Sequence, residues 1–354
     1  MGRLTRAEMQ ERNRAKVLAA AREEFAVAGY RGAKIDSIAA RAELTRGAVY
    51  SNFPSKRALY LAVLADDAER AAGPASPPTA STVGEALGAF ARAWLARLPL
   101  STDDVESPAR LATDLIPEIV ADDYLRQAFT QLVKLQAMLL SLSLERIAPS
   151  GGRKVRLAET AITTLHGASQ LAFAAPGFVE PFDVVQTCEQ LAGLDLDDAW
   201  EPPHLPHVAP ARSCSDRWSP PAVTDAVRGD PVDLTRDRVM GILGLHRLSA
   251  IEEAVRGSQP GHQVSAVLVT SRADELAPLV RLVLAEFRAC LHHAVPPTAW
   301  PGVDVILDER GSLAAATGVR AVSDATETAV RIRGGRIVAR AEGFGACHAA
   351  ASVG

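Results

Sequence analysis

Cysteine is scarce in this chain, and long apolar runs are missing from it. Four cysteines are scattered over 354 residues without short spacings, so they do not form the framework of a small disulfide-stabilised domain. No apolar run approaches the ~20 residues that a membrane-spanning helix needs. Residues 1–10 also lack the apolar core of a signal peptide. Together these features predict a cytoplasmic protein rather than a secreted or membrane-bound one.

Several motifs of enzyme chemistry are missing as well. The sequence has no P-loop, no Gly-x-Gly-x-x-Gly fingerprint, no Gly-x-Ser-x-Gly turn and no His-Glu-x-x-His metal motif. Its length predicts two or three domains. The contents of 48% hydrophobic and 23% charged residues are ordinary for a globular protein. We therefore expect no catalytic site, no cofactor and no bound metal.

The first 60 residues carry the most informative pattern. Apolar residues recur at helical spacing over residues 11–28, and Gly29 is placed to end this first helix. A second apolar stripe predicts a short second helix. Its members are Ile35, Ile38, Ala39 and Ala42. Two short helices joined by a tight turn are the arrangement that lays one helix in the DNA major groove.

The third predicted helix begins after Thr45, whose hydroxyl can accept a backbone N–H. Val49 and Phe53 lie four residues apart and face inward, which leaves small, polar and basic side chains on the outside. Ser55 is predicted to cap a fourth helix whose first turn favours a phosphate oxygen. The outward residues are candidates for contacts with phosphate and base edges. The predicted DNA contacts are Lys34, Thr45, Arg46, Gly47, Ala48, Tyr50, Ser51, Asn52 and Lys56.

Residues 11–60 resemble the DNA-binding domain of the tetracycline-repressor (TetR/AcrR) family of bacterial regulators. The shared pattern is a glycine-aromatic pair, an Ile-Ala pair, a Thr-x-Gly-x-x-Tyr run and a Phe-x-x-Lys run in fixed register. The resemblance implies a ligand-responsive regulator, a repressor by expectation, that binds double-stranded operator DNA as a homodimer. Two positions depart from the family. Ala33 stands where a capping Thr is usual, and Glu43 replaces the usual turn glycine.

The charge distribution agrees with a DNA-binding head. Residues 1–60 contain twelve Lys and Arg against six Asp and Glu, whereas the whole chain has a net charge of -4. The remaining residues therefore carry about ten net negative charges. A basic head on an acidic body is typical of a phosphate-binding domain joined to a regulatory body. A solvated basic surface without DNA binding is the alternative.

Helical patterns continue after the head, which we assign to residues 1–72. They cover about residues 82–98, 108–120, 123–147, 153–173 and 181–191. The stretch 127–147 is apolar on most faces and is therefore predicted to lie centrally in a bundle. The resemblance implies an all-helical body over residues 73–194 that binds a ligand and dimerises. Its last two helices, 153–173 and 181–193, would pair with their twofold mates.

The same resemblance implies a pocket for an unknown small-molecule effector. The pocket candidates are Trp94, Phe129, Met138, His166, Gln170 and Phe173, with Leu115 and Leu132 beside them. Core packing is the alternative for the aromatic residues and for Met138. A buried, hydrogen-bonded pair is the alternative for His166 and Gln170, which lie one turn apart.

The last third of the chain changes character. Residues 195–234 are rich in Pro, Asp and His, and are predicted to be an extended linker. Strand patterns follow at 264–270 and 303–307, helical patterns at 274–291 and 312–317, and two strands flank Gly334-Gly335. This order resembles the thioredoxin-like fold. We assign it to residues 235–354, as a smaller α/β domain behind the all-α N-terminal part.

The functional residues of thioredoxin-like proteins are absent from this sequence. Ser271–Glu275 stands where a Cys-x-x-Cys pair would lie, so dithiol exchange has no nucleophile there. We predict a redox-inert domain that serves interaction, dimer support or ligand sensing. Cys290 and Cys347 are predicted to be structural, with a single-thiol sensor as the alternative. The histidines and cysteine of 204–214, and His292-His293, match no zinc pattern.

Two other functions stay open at this point. In the first, residues 235–354 are a redox or small-molecule-converting enzyme domain, with DNA binding as its control. In the second, the protein is a scaffold whose C-terminal tail recruits another protein.

Overall fold

The computed structural model describes residues 5–71, 78, 80–100, 108–201, 208–259 and 261–353. An N-terminal part made of helices is followed by a part in which helices cover a mixed sheet. The N-terminal helices are α1 (Arg6–Gly32), α2 (Ile35–Arg41), α3 (Arg46–Asn52), α4 (Lys56–Ala71), α5 (Val83–Leu95), α6 (Leu115–Val120), α7 (Asp123–Ile147), α8 (Val155–Ala174) and α9 (Pro181–Leu191).

The C-terminal part contains eight strands and four helices among the described residues. They are β1 (Arg212–Arg217), β2 (Val223–Thr224), β3 (Pro231–Val232), β4 (Arg238–Gly244), α10 (Ile251–Gly257), β5 (Gln263–Val269), α11 (Ala273–Ala294), β6 (Val303–Leu307), α12 (Ser312–Ala316), β7 (Glu327–Arg333), β8 (Arg336–Glu342) and α13 (Ala346–Ala351). The coarse prediction, a helical N-terminal part followed by an α/β part, is confirmed.

Helices α1 to α4 form the head around their own apolar cluster. Gly29 has a φ of +67° and ψ of 170°, so the helical path of α1 breaks there as predicted. The left-handed region favours glycine at this position. Phe25, Ile38, Val49 and Phe53 are buried in the head core, which places the periodic residues of three helices together.

The main sheet has the strand order β1-β8-β7-β4-β5-β6. Strands β4, β5 and β6 are parallel, and the other neighbours are antiparallel. Gly334 and Gly335 form the turn between β7 and β8 with φ of +52° and +69°, the backbone that a two-residue hairpin needs. The sheet is therefore mixed, and its likeness to thioredoxin stays a prediction.

The structure differs from the predicted linker over residues 208–234. Strand β1 is hydrogen-bonded to β8 at one edge of the main sheet. The indole N–H of Trp218, a buried residue, donates to the Leu234 carbonyl at 2.8 Å. Val227 is fully buried. Pairing with a distant strand creates this structure, so the local composition, rich in Pro and Asp, did not indicate it. Pro202, Pro203 and Pro206 lie outside the described residues.

Strand β4 and helices α10 and α13 had no counterpart in the sequence analysis. Every residue of β4 is buried, and the strand lies in the middle of the sheet. Its glycines weaken the strand pattern in the sequence. Gly241 has a packing reason, because a Cβ there would lie 3.0 Å from the sulfur of Cys347 on α13.

Helix α11 joins the two parts of the chain into one core. Phe287 on α11 lies 5.8 Å, centroid to centroid, from Phe90 on α5, and both are fully buried. Leu282 belongs to the apolar cluster of the head. The Nε2 of Gln136 on α7 donates to the Val283 carbonyl at 3.1 Å. The C-terminal part therefore packs against α4, α5 and α7 instead of hanging from a flexible tether.

Ion pairs add to this contact at its periphery. Arg153 contacts Glu252 of α10 at 2.8 Å, and Arg256 contacts Glu145 of α7 at 2.7 Å. The side chains of both pairs are less than one fifth exposed. None of the described helices is both long and apolar enough to cross a membrane.

Candidate nucleic-acid interface and effector cavity

Helix α3 is held by its first residue and its buried side. The hydroxyl of Thr45 accepts the Ala48 N–H at 3.2 Å, which confirms the predicted cap. Val49 and Phe53 are buried, at 1% and 2% exposed. Arg46, Gly47, Tyr50 and Ser51 lie exposed on the other side. The helix therefore presents one basic and polar face to solvent.

The residues of this face also interact with one another. Arg46 forms an ion pair with Asp36 of α2 at 3.2 Å, and its guanidinium lies 5.6 Å from the ring centre of Tyr50. Ser51 Oγ donates to the Ala48 carbonyl at 2.9 Å. Asn52 Nδ2 donates to the same carbonyl at 2.8 Å. The amide of half-buried Asn52 is thus engaged in its own helix and is less available than predicted.

The start of α4 is held as predicted, but Lys56 does more than face solvent. Ser55 Oγ accepts the Ala58 N–H at 3.0 Å and so caps the helix. The Lys56 ammonium donates to the carbonyls of Arg31 and Ala33 at 3.2 and 3.0 Å. An ammonium has three donors, so one remains for a phosphate. Lys56 therefore fixes the end of α1 as well.

The two departures from the family pattern have clear structural effects. Ala33 precedes α2, whose first residues lack a side-chain cap, and the carboxylate of Glu24 accepts the Lys34 N–H at 3.3 Å instead. Lys34 itself is exposed. Glu43 adopts the left-handed conformation with a φ of +56°. Its side chain contacts Lys16 at 3.5 Å and is 82% exposed.

A second site lies behind the head, between its fourth helix and the body. It is a cavity of about 790 Å³ lined from α4, α5, α7, α8 and α11, and from the segment 112–116. Five predicted pocket residues line it: Trp94, Phe129, His166, Gln170 and Phe173. Leu115, named beside them, lines it too. Met138 does not line it, and neither does Leu132, because both are buried in the core of the body.

His166 stands between two aromatic rings in this cavity. Its ring centre lies 5.0 Å from that of Trp94 and 5.8 Å from that of Phe129. Burial, helped by the Arg97 guanidinium, lowers the pKa of His166 to about 4, so the imidazole is neutral at pH 7. The alternative of a hydrogen-bonded pair with Gln170 is wrong. Gln170 is exposed, and Nε2 of His166 has no hydrogen-bond partner.

The family comparison decides the identity of the head. Residues 17–63 match the family described as bacterial regulatory proteins, tetR family. The head is a TetR-family DNA-binding domain. The match covers the whole of α2 and α3 and the first half of α4, and α3 carries the exposed face. The likeness to tetR-family regulators therefore rests on the head, in residues 17–63 of this chain.

Solved structures resemble this chain over about half of its length. One, titled "Molecular basis for control of antibiotic production by a bacterial hormones", is 26% identical, with a TM-score of 0.30. The likeness spans 51% of this chain and 95% of that one. Another is a TetR-like transcriptional regulator from Rhodococcus sp. RHA1, 20% identical over 54% of this chain and 97% of its own, with a TM-score of 0.31. No curated protein matches the chain.

Three of the four cysteines are buried, and Cys214 is partly buried. Cys290 on α11 and Cys347 on α13 are both fully buried. Burial raises the pKa of Cys290 to about 11, and it raises the pKa of Cys347 as well. Cys188 of α9 is also buried. These positions favour packing, because a thiol with a raised pKa is a poor nucleophile at pH 7.

The two neighbouring histidines on α11 have different surroundings. His292 stacks on Trp300 at 4.3 Å, and its Nε2 lies 3.1 Å from the Val227 carbonyl. His293 is exposed and lines the cavity. The described residues hold no group of three or more His, Cys, Asp or Glu that could bind a metal. His204 and His207, considered as metal ligands, lie outside the described residues, whereas Cys214 is part of β1.

Proposed function

We propose that this chain is a ligand-responsive repressor that binds a near-palindromic operator as a homodimer. The observation that supports the proposal most is the exposed face of α3 in a TetR-family domain, with Arg46, Tyr50 and Ser51 outside. Lys34 and Lys56 flank this face and would contact phosphates. The side chains at the helix start would reach base edges in the major groove.

The outer surface around α8 and α9 supports a dimer. Leu171, Phe178 and Phe182 follow one another closely in the sequence and are 42%, 71% and 85% exposed, and exposed apolar side chains mark surfaces that bind partners. Gly167 is exposed one turn before Leu171 and would let a partner helix approach closely. Two copies related by a twofold axis would place the two α3 helices in successive major grooves, about 34 Å apart.

The segment 108–120 lies between the cavity and the head. Leu115 and Ile116 line the cavity. Tyr30 of α1 donates its hydroxyl to Glu118 at 2.9 Å, and the hydroxyl of Tyr60 on α4 donates to the Leu111 carbonyl. An effector that binds best to a conformation in which this segment is displaced would also displace the head, because the two hydrogen bonds join them. Binding would then shift the population toward a spacing of α3 helices that no longer matches the operator.

The test begins with selection of bound fragments from the source genome, because the operator sequence is unknown. The full chain is then titrated against a selected duplex and a scrambled duplex by fluorescence anisotropy, and the stoichiometry is measured by sedimentation. We expect discrimination of about a thousandfold or more at physiological salt, with two chains per duplex. Equal binding to both duplexes, or one chain per site, would contradict the proposal.

The alternatives gain less from the structure. A redox enzyme at the C-terminus draws no support from Cys290 and Cys347, because both thiols are buried and have raised pKa values. A tail that recruits another protein as a free module is hard to reconcile with α11, which is packed into the helical body.

A further inference from the structure

The effector cavity has a wall that the C-terminal part of the chain provides. Leu282, Val283, Glu286, Ala289 and His293 of α11 all line it. The rings of Trp94, Phe129 and Phe173 from the helical body line it as well. Any molecule held in this cavity therefore contacts both parts of the chain at once.

Hydrogen-bond acceptors inside the cavity lack partners. Gln136 is only 2% exposed; its Nε2 donates to the Val283 carbonyl, but its Oε1 has no partner. Glu286 lies one turn after Val283 on α11. Within the part of the chain that the structure describes, no side chain or backbone N–H donates to its carboxylate or forms an ion pair with it. A buried acceptor is normally satisfied, so Gln136 Oε1 points to a ligand, and the half-buried Glu286 carboxylate lines the same cavity.

The donors beside them are mostly engaged. Nη1 of Arg97 donates to the Glu286 carbonyl at 2.9 Å, and its guanidinium lies 5.1 Å from the ring centre of Trp94. The indole N–H of Trp94 donates to Ser169 Oγ at 2.9 Å. Nε of Arg97 is a buried donor without a partner. Besides the two acceptors, Gln136 Oε1 and the Glu286 carboxylate, the unpartnered groups are this donor and Nε2 of His166, which can donate or accept.

We propose that the cavity takes an apolar, ring-bearing molecule with an amine, whose N–H groups bind Glu286 and Gln136. The C-terminal part of the chain is then the part that selects the effector. This inference rests on the proposed function, since it names the ligand class of that regulator. The aromatic wall would hold the rings, and the carboxylate would hold the ammonium.

The electrostatics of Glu286 fit this role. Burial raises the pKa of Glu286, and the Arg97 guanidinium opposes that rise. A bound ammonium would place a further opposite charge beside this carboxylate and stabilise its ionised form. The same helix reaches the head, because Leu282 packs in the head cluster and Arg281 contacts Glu69 of α4 at 2.6 Å. A ligand bound against α11 can therefore affect the position of the DNA-binding helices.

The experiment uses three isosteric probes on the full chain: 9-(aminomethyl)anthracene, 9-anthracenemethanol and 9-anthracenecarboxylate. Their binding is measured by calorimetry at pH 7. We expect the amine to bind at least about tenfold more tightly than the alcohol, because a charge-assisted hydrogen bond replaces a neutral one. Glu286→Gln should remove that preference. The matched control is Glu342→Gln, on an exposed residue of β8.

A second variant distinguishes a loss of binding in the cavity from a loss of the fold. Ala289→Phe fills the cavity from α11 and should weaken all three probes, whereas Ala316→Phe, on an exposed residue of α12, should weaken none. Equal binding of amine and alcohol to the unmodified chain would overturn the proposal. So would an amine preference that survives in Glu286→Gln.

Operator anisotropy on the same samples separates this inference from the proposed function. Amine binding that depends on Glu286 but leaves DNA bound would support the cavity assignment and contradict effector control. Release of DNA by all three probes alike would support effector control and overturn the amine assignment.

Discussion

Arg281 of α11 donates from Nε and Nη2 to both carboxylate oxygens of Glu69 on α4, at 2.8 and 2.6 Å. This bidentate pair joins the C-terminal part of the chain to the last helix of the head. The two side chains are 33% and 38% exposed, so water weakens the attraction. The apolar contact beside it, centred on Phe287, is fully buried.

These two contacts should differ strongly in their effect on stability. Phe287→Ala removes a buried ring and is expected to lower the free energy of unfolding by about 3–5 kcal/mol. Arg281→Gln breaks the half-exposed pair and should cost at most about 1 kcal/mol. Urea unfolding of the full chain, followed by circular dichroism, measures both. A larger loss for Arg281→Gln would show that the ion pair holds α11 in place.

Asp36 restrains the guanidinium that is expected to contact DNA. Asp36→Asn removes a carboxylate from the side of Arg46, so we expect operator affinity to rise by roughly two- to fivefold at low salt, with a smaller gain at high salt. Fluorescence anisotropy at several salt concentrations measures the change. Asp123→Asn is the control, because Asp123 forms a similar exposed pair with Arg126 on α7. An equal gain in the control would remove Asp36 from the interface.

Glu43 combines backbone strain with an unfavourable charge near DNA. Glu43→Gly should raise stability by up to about 1 kcal/mol, because glycine adopts a positive φ without steric cost but loses more entropy on folding. Glu43→Gln removes the charge and keeps the strain. We expect both variants to bind DNA more tightly and only the glycine variant to melt at a higher temperature. Unchanged stability in Glu43→Gly would mean that the turn holds no strain.

Substitutions of Tyr50 and Lys56 should differ in their effect on stability, although both should weaken DNA binding. Tyr50→Ala is expected to weaken binding to all duplexes without lowering the melting temperature, since the side chain is exposed. Lys56→Ala should weaken binding, reduce the salt slope by about 1, and also lower the melting temperature. Changes at Arg46 or Ser51 should instead alter sequence preference. Wild-type binding in all four variants would refute the contact assignment.

Glu253 makes the stability of the C-terminal part depend on pH. Burial and the Glu327 carboxylate raise its pKa to about 6 from an ordinary 4.5, while Arg247 and the His348 backbone oppose this. The folded chain keeps the proton longer than the unfolded chain, so the stabilisation is complete below pH 4.5 and disappears as the pH rises through 6. Since the residue is partly exposed, the loss is at most about 1 kcal/mol.

Glu253→Gln tests this dependence. The variant should be more stable than the parent at pH 7 and equal to it at pH 4.5, as measured by thermal unfolding. Glu342→Gln, on an exposed residue of β8, should follow the parent at both values. A Glu253→Gln variant that tracks the parent over the whole range would show that this carboxyl does not titrate as described.

The sequence was most informative where local interactions decide the structure. The caps at Thr45 and Ser55 depend on residues three positions away, so the head could be predicted with its exposed face. Strand β1 has a polar sequence and exists because it pairs with β8, more than 100 residues later. No local pattern indicates such a partner. The cavity residues of the body were recognised through a family resemblance, whereas Glu286 and Gln136 were missed.

The sequence of helix α11 indicates that more than one of its faces is covered. Leu282 and Ala285 are buried as well as Leu279 and Val283, so apolar side chains extend around most of the helix. A helix that is apolar on most faces is covered from more than one direction. That pattern indicates a helix held between the sheet and another layer, which here is the helical body.

The position of α11 in the sequence also determines when the apolar side of the N-terminal helices is covered during synthesis. A ribosome that has made the first 200 residues has completed all nine N-terminal helices of the described fold, but not the helix that covers Phe90. In the nascent chain, the apolar side of the head and body would stay exposed until residues 273–294 have left the exit tunnel. A chain that stops before residue 273 would therefore leave the ring of Phe90 without its cover from Phe287.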